Sequence, residues 1–369
     1  MDVREALSAV AGGRTLTRDE ARSVMGAIMA GEPTPAQLGA LLAALRMRGE
    51  TVDEIAGFVM GMREAAVTVK LADASAVDIV GTGGSRVDPF NISTVSSIVA
   101  AGAGARVAKH GNRAASGRCG SADLLEALGV RIDLGPDEVA RCVDEIGIAF
   151  MFAPRFHPAM RHAGPVRREI GIRTVFNLLG PLANPAGVRR MVVGVPSPEL
   201  GEKLAHVLGE LGAEHGLVVH GVDGLDDISP TGPTRTWEVR GSDVREGTID
   251  PREFGMTPGS VSEIESGDAA ANAATAIAIL EGEQGARRDA VLLNAGAACH
   301  VAGVAPSLGE GIKAAARAID GGAAREKLAR WVELSQQIES ERGTAPPGRV
   351  SPPALSGQRG AEAGAEGPR

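Results

Sequence analysis

Val77-Asp78-Ile79-Val80-Gly81-Thr82-Gly83-Gly84-Ser85, followed by Asn91-Ile92-Ser93-Thr94 at the head of an apolar stretch, is the segment that decides the fold. A short run rich in β-branched side chains favours a buried strand. The glycines after it allow a sharp turn, and the polar cluster at 91–94 opens a helix over residues 93–103. Strand, glycine turn and helix together begin a βαβ unit. Towards the C-terminus the alternation continues. Extended segments are expected at 105–108, 130–132, 148–152, 191–195 and 217–220, and helices at 123–128, 137–146 and 200–211. Helical stretches at 268–280, 287–299, 309–319 and 323–339 follow. This pattern predicts an α/β fold with a mostly parallel central sheet flanked by helices.

Towards the N-terminus the pattern is helical. Thr17-Arg18-Asp19-Glu20, Thr34-Pro35-Ala36-Gln37 and Thr51-Val52-Asp53-Glu54 each place Thr at an N-cap, with Glu or Gln three residues on. That spacing lets the two side chains satisfy each other's backbone donors. Gly31 and Gly49 stand where helix ends are expected. The apolar faces of these helices need a partner, in the rest of the chain or in another subunit. From about Gly343 the sequence turns to Pro, Gly, Ala, Glu and Arg, which predicts a disordered tail over 343–369.

Composition excludes several classes. Net charge is −8, aromatics are 2% of residues and Tyr is absent. A nucleic-acid groove is normally basic and stacks bases on aromatic rings, so no nucleic-acid partner is expected. Cys119, Cys142 and Cys299 are far apart and contain no CxxC pair, which argues against a disulfide framework and a zinc site. No apolar run approaches the ~20 residues of a membrane span, and residues 1–11 carry acids where a signal peptide has an apolar core. A cytoplasmic protein with no membrane partner is expected.

Four segments carry chemistry. Gly81-Thr82-Gly83-Gly84-Ser85 with Asn91, Ser93 and Thr94 puts backbone N–H groups and short polar side chains at a helix N-terminus, a place for phosphate; a plain turn and N-cap is the bland alternative. Lys109-His110-Gly111-Asn112-Arg113-Ala114-Ala115-Ser116-Gly117 reads as a basic loop past a strand, suited to a polyanion, and Gly120-Ser121-Ala122-Asp123 opens a second helix. Asp226-Asp227 follows a strand; adjacent carboxylates suit magnesium, although surface Asp pairs are common in turns. Arg167, ahead of the Pro-containing wall at 173–185, suits a carboxylate clamp or an interdomain hinge. The histidines show no ligand spacing; His157 and His162 read as structural and His206 as a helix-surface residue.

Taken in order, Gly81-Thr82-Gly83-Gly84, Asn91-Ile92-Ser93-Thr94, Lys109-His110-Gly111-Asn112-Arg113, Gly120-Ser121-Ala122-Asp123 with Leu125-Glu126-Ala127-Leu128-Gly129, Arg173-Thr174-Val175-Phe176-Asn177-Leu178-Leu179-Gly180-Pro181-Leu182 with Asn184-Pro185, and Gly224-Leu225-Asp226 resemble the anthranilate phosphoribosyltransferases. The resemblance runs from the N-terminal helices to about Gln337. It implies a helical domain over 1–70, completed by part of 160–190, and an α/β phosphoribosyl-binding domain over 71–342. The active site would lie between them, and a homodimer would form through the helical domains. It implies transfer of phosphoribose from phosphoribosyl pyrophosphate (PRPP) to the amine of anthranilate with Mg2+. For PRPP it implies Gly81, Gly84, Ser85, Asn91, Ile92, Ser93, Thr94, Lys109, His110, Gly111, Asn112, Arg113, Ala114, Ala115, Ser116, Gly117 and Ser121. For anthranilate it implies Gly81, Asn112 and Arg167; for magnesium, Ser93, Asp226 and Asp227; and Lys109, His110 and Asn112 as the catalytic set. The chain departs from the family pattern at Ser85 (usually Asp), Pro89 (Thr), Gly117 (Ser) and Asp227 (Glu). The nearest rival is a pyrimidine nucleoside phosphorylase, which shares a related Lys-His-x-Asn-Arg segment.

Overall fold

The computed structural model describes residues 1–114 and 117–344. Four helices come first: α1 (Val3–Ala11), α2 (Arg18–Ala30), α3 (Pro35–Arg48) and α4 (Val52–Glu64). All three expected capping boxes are formed, on Thr17, Thr34 and Thr51. A fourth, Asp2 with Glu5, starts α1. α2 and α4 pack closely because Gly57 and Gly61 face α2; a Cβ on Gly57 would lie 2.2 Å from the Arg18 carbonyl oxygen.

The remaining chain alternates strands and helices: β1 (Val77–Gly81), α5 (Ile92–Gly102), β2 (Val107–Gly111), α6 (Ser121–Ala127), α7 (Pro136–Ile146) and β3 (Ile148–Phe152). Then come α8 (Ala153–Phe156), a 3-10 turn at Pro158–Arg161, α9 (Gly164–Ile170), α10 (Phe176–Leu182), β4 (Arg190–Gly194), α11 (Pro198–Glu210) and β5 (His215–Gly221). β6 (Thr234–Arg240), β7 (Asp243–Ile249), α12 (Ala269–Leu280), α13 (Ala286–Val301), α14 (Leu308–Asp320) and α15 (Ala323–Thr344) complete it. The sheet order is β3-β2-β1-β4-β5-β6-β7. The first five strands are parallel, and β6 and β7 form an antiparallel edge. α5 is buried along almost its whole length and packs against α13, α14 and α15.

Four points differ from the sequence expectations. Residues 130–132 form no strand; the Arg131 N–H donates to Ser335 Oγ on α15 at 3.0 Å, so this segment is pinned to a helix. β6 and β7 were not anticipated, although β6 alternates buried and half-buried residues along much of its length. β2 runs through Gly111, so Lys109 and His110 belong to a strand and not to a loop. α15 extends past Gly343, where composition predicts the tail to begin. Residues 345–369, with Ala115 and Ser116 of the expected phosphate loop, lie outside the described residues.

After β1 the chain builds β2 and β3 on one side, then returns to place β4 on the other. Ligands of open α/β sheets bind at the carboxyl ends of strands where the order reverses in this way. Segment 157–182 leaves the sheet there and meets the helical part: α9 packs on α3, the 3-10 turn on α2 and α10 on α4. Arg63 of α4 donates to the Leu182 carbonyl through Nε and Nη2 at 3.0 and 2.7 Å. Among the described residues no helix is long and apolar enough to cross a membrane.

Candidate active site

A cleft of about 860 Å³ opens at this switch point, between the sheet and segment 153–181. Gly81, Asn91, Ser93, Thr94, Lys109, His110, Gly111, Asn112, Arg113 and Ser121 line one side, and Met62, His157, Arg167, Phe176 and Gly180 the other. Of the expected site residues, Gly84, Ser85, Ile92, Ala114 and Gly117 lie outside this lining, as does the Asp226–Asp227 pair.

The phosphate end is built from an uncapped helix. Asn91 is the N-cap of α5, yet its side chain makes no cap bond. Its Nδ2 donates to the Cys119 carbonyl at 2.9 Å, and its Oδ1 accepts from Asn272 Nδ2 at 2.9 Å. The first-turn amides of α5 therefore lack a side-chain acceptor at the cleft, where an anion can take that role. Thr94 Oγ1 is buried at the same place and has no partner among the described residues.

The carboxylate pair sits behind the glycines. A Cβ on Gly81 would stand 2.6 Å from Asp226 Oδ2, and one on Gly194 would stand 1.5 Å from the Asp226 carbonyl oxygen. Gly81 and Gly194 are paired at the ends of β1 and β4, so two adjacent strands end in glycine where the Asp226 loop crosses them. The Gly83 N–H donates to Asp226 Oδ2 at 3.0 Å. Arg173 Nη2 donates to the Thr82 carbonyl at 2.9 Å, and Gly84 leaves room for its guanidinium. Both carboxyls are pushed above the usual range, first by loss of hydration; Asp227 rises further because Asp226 stands beside it. Each residue still keeps part of its surface open. Two adjacent, poorly neutralised carboxylates are oxygen donors that suit a hard divalent cation. The residues present therefore fit magnesium.

Lys109 joins the two features. It is buried, its Nζ donates to the Ile79 carbonyl at 2.5 Å and lies 3.4 Å from Ser93 Oγ. Burial lowers its pKa, while Asp78 and Asp227 favour the charged form. Asp78, the second residue of β1, accepts from the His110 backbone N–H at 3.2 Å and from Asn184 Nδ2 at 2.7 Å, and burial pushes it up to about 6.

At the far end two histidines face each other with ring centroids 5.1 Å apart. His110 Nδ1 donates to the Gly180 carbonyl and His157 Nε2 to the Ala183 carbonyl, each at 3.1 Å. Among the described residues, their other nitrogens are buried without partners. Burial lowers His110 to about 3 and His157 to about 4, so both are neutral near pH 7. The cleft thus presents two lone-pair acceptors. Arg167 lies over the Phe176 ring at 5.2 Å and, among the described residues, pairs with no carboxylate.

The segment after β2 is stapled at both ends. Asp123 accepts from the N–H groups of Gly120 and Ala114 at 2.9 and 3.1 Å and from Arg113 Nη1 at 2.9 Å. Ser121 Oγ donates to the Asn112 carbonyl at 3.1 Å. Arg113 is held by Asp123 and Glu126, pointing away from a role as a free phosphate contact. Ser85, where the family pattern has Asp, donates to the Gly224 carbonyl at 2.7 Å and so ties the glycine turn to the Asp226 loop.

Sequence reading missed four contributors. His157 was read as structural and instead lines the cleft. Asp78, Arg173 and Asn272 act on the residues that do line it. Asp78 left a signal, a lone charge inside an apolar strand, and Arg173 heads the segment at 173–185 singled out above.

Comparison with known proteins fits this arrangement. Residues 4–66 match the helical bundle domain of the glycosyl transferase family, and residues 73–325 match its a/b domain. The anthranilate phosphoribosyltransferase of Thermomicrobium roseum is 56% identical over 336 residues, covering 90% of this chain and 97% of that protein. That of Chloroflexus aggregans is 53% identical over 338 residues, covering 91% and 99%. The crystal structure of the Thermus thermophilus enzyme superposes with a TM-score of 0.86 at 45% identity, over 90% of this chain and 99% of that one. The Saccharomyces cerevisiae enzyme in complex with PRPP and Mg gives 0.84 at 26%, over 91% and 98%. By fold, length and sequence the chain belongs to the anthranilate phosphoribosyltransferase family.

Proposed function

We propose that the protein transfers the 5-phosphoribosyl group of PRPP to the amine of anthranilate, giving N-(5-phosphoribosyl)anthranilate and pyrophosphate, a step of tryptophan biosynthesis. The observation that carries this reading is one cleft with two unlike ends. An uncapped helix N-terminus and Lys109 stand at one end, beside the Asp226–Asp227 pair. Arg167 and two neutral histidines stand at the other.

The α5 amides, Ser93, Thr94 and Lys109 bind the phosphates, and Arg167 pairs with the carboxylate of anthranilate. Asp226, Asp227 and the Ser93 hydroxyl hold magnesium, which when bound neutralises the leaving pyrophosphate. The aromatic amine is already a nucleophile at neutral pH, so Lys109, His110 and Asn112 serve by placement and charge and no general base is required. Neutral His110 accepts a hydrogen bond in its Nε2 lone pair and orients the substrate. Closure of the helical part on the sheet excludes water from PRPP. The protein acts in the cytoplasm as a homodimer through the N-terminal helices; Met47 at the end of α3 is 89% exposed and supplies apolar surface for such an interface.

Mass spectrometry of product and a pyrophosphate assay test the reaction. One product molecule per pyrophosphate, dependent on magnesium, is expected. Release of free base and ribose 1-phosphate from pyrimidine nucleosides and phosphate, with no reaction of anthranilate, would replace this reading with a nucleoside phosphorylase.

A further inference from the structure

His215, Glu238 and His300 meet at the opposite end of the sheet from the cleft. His215 begins β5, and Glu238 in β6 pairs with Leu217, so His215 and Glu238 are diagonal neighbours on one face. His300 comes from the last turn of α13, which packs on β4 and β5. His215 Nε2 lies 2.8 Å and His300 Nε2 3.6 Å from the same oxygen, Glu238 Oε1. One ligand atom from each residue lies within 4.8 Å of the other two. None of the three lines the cleft.

The donor set has a definite chemistry. With bonds of ~2.0–2.1 Å to zinc, ligand atoms at tetrahedral corners stand ~3.3 Å apart, and the two distances to Glu238 bracket that value. His300 Nδ1 donates to the Ala305 carbonyl at 3.2 Å, which turns its Nε2 towards the Glu238 carboxylate. A carbonyl on the outer nitrogen is also how metal-bound imidazoles are oriented. Two imidazoles with one carboxylate favour zinc, cobalt or nickel over magnesium.

Arg240 opposes binding: its Nε and Nη2 donate to the same Glu238 oxygen at 3.1 and 2.9 Å. Its side chain is 52% exposed and is free to turn to solvent. We propose that His215, Glu238 and His300 form a site for one divalent transition-metal ion of the zinc type, which clamps β5 and β6 to the end of α13. On binding, the His215 hydrogen moves from Nε2 to Nδ1 and the metal takes the Nε2 lone pair; water completes the coordination, and the proton count is unchanged.

The test is calorimetric titration of Zn2+ into the full chain in excess Mg2+, which keeps the Asp226–Asp227 pair occupied. One equivalent is expected to bind. His300→Gln and Glu238→Gln are expected to weaken binding by at least about tenfold, whereas Arg240→Gln tightens it. Co2+ added to the unaltered chain gives the intense visible absorption of four-coordinate, nitrogen-ligated cobalt. Absence of a stoichiometric site, absence of that band, or equal zinc affinity in the ligand variants would overturn the proposal. If a ligand variant does not fold, the cobalt band and the Arg240→Gln titration decide it.

Discussion

Ser85 and His157 are single residues whose surroundings set their behaviour. The Ser85 hydroxyl donates to the Gly224 carbonyl two residues before Asp226, a bond that an ionised Asp cannot make because a carboxylate only accepts. Ser85→Asp therefore frees the turn and adds a charge beside the carboxylate pair. Magnesium titration of the initial rate is expected to show a severalfold lower half-saturating concentration in that variant, since ligand charge tunes affinity. An unchanged profile would remove Ser85 from the metal account. His157 ordinarily titrates near ~6.5 and is pushed down to about 4 by burial. Between those values the unfolded chain binds a proton that the folded chain does not, so stability is lost as pH falls through this window. Asp78, raised to about 6, acts with the opposite sign, which makes a difference measurement necessary. The urea midpoint of the native protein is expected to fall relative to that of His157→Phe as pH drops from about 6.5 to about 4; parallel pH profiles would show that His157 is charged or solvated.

Elements decide where these residues stand. α6 exerts its influence through Asp123, whose carboxylate holds both ends of the turn after β2. Asp123→Ala removes three bonds to a charged acceptor, a loss of about 1–3 kcal/mol of local stability. Steady-state kinetics are expected to show a raised KM for PRPP with a smaller change in kcat; a fall in kcat alone would place Asp123 in the chemical step. Elements were largely legible in the sequence. The Thr capping boxes, the glycine turn after β1 and the strand of residues 148–152 carry local signals that depend on a few neighbouring residues. The length of β2 was not legible, because it depends on partners far along the chain; β6 and β7 form a local hairpin about Gly241-Ser242, and the run of charged residues in β7 hides it from an apolar-alternation reading. Lys109 looks like a loop residue from its basic neighbours. It is accommodated in a strand only because the Ile79 carbonyl receives its Nζ and Asp78 stands nearby. His157 escaped for the same reason, since the Ala183 carbonyl and His110 give it its place.

Across the whole molecule the cleft depends on two parts of the chain meeting. Arg63 reaches from α4 to the Leu182 carbonyl at the end of α10, and Arg18 of α2 pairs with Glu210 of α11, so the helical part is tied to two helices of the α/β part. The apolar surface that remains uncovered on α3 includes Met47. Light scattering is expected to give a dimer for the native chain and a shift towards monomer for Met47→Glu, and a native monomer would refute the proposed homodimer. The central claim, phosphoribosyl transfer to anthranilate, is tested most directly by following anthranilate fluorescence after addition of PRPP, with and without magnesium, beside an Asp226→Asn variant. Rapid, magnesium-dependent loss in the native protein and none in the variant is the predicted result. Undiminished fluorescence at every magnesium concentration, from protein shown to be folded, would contradict it.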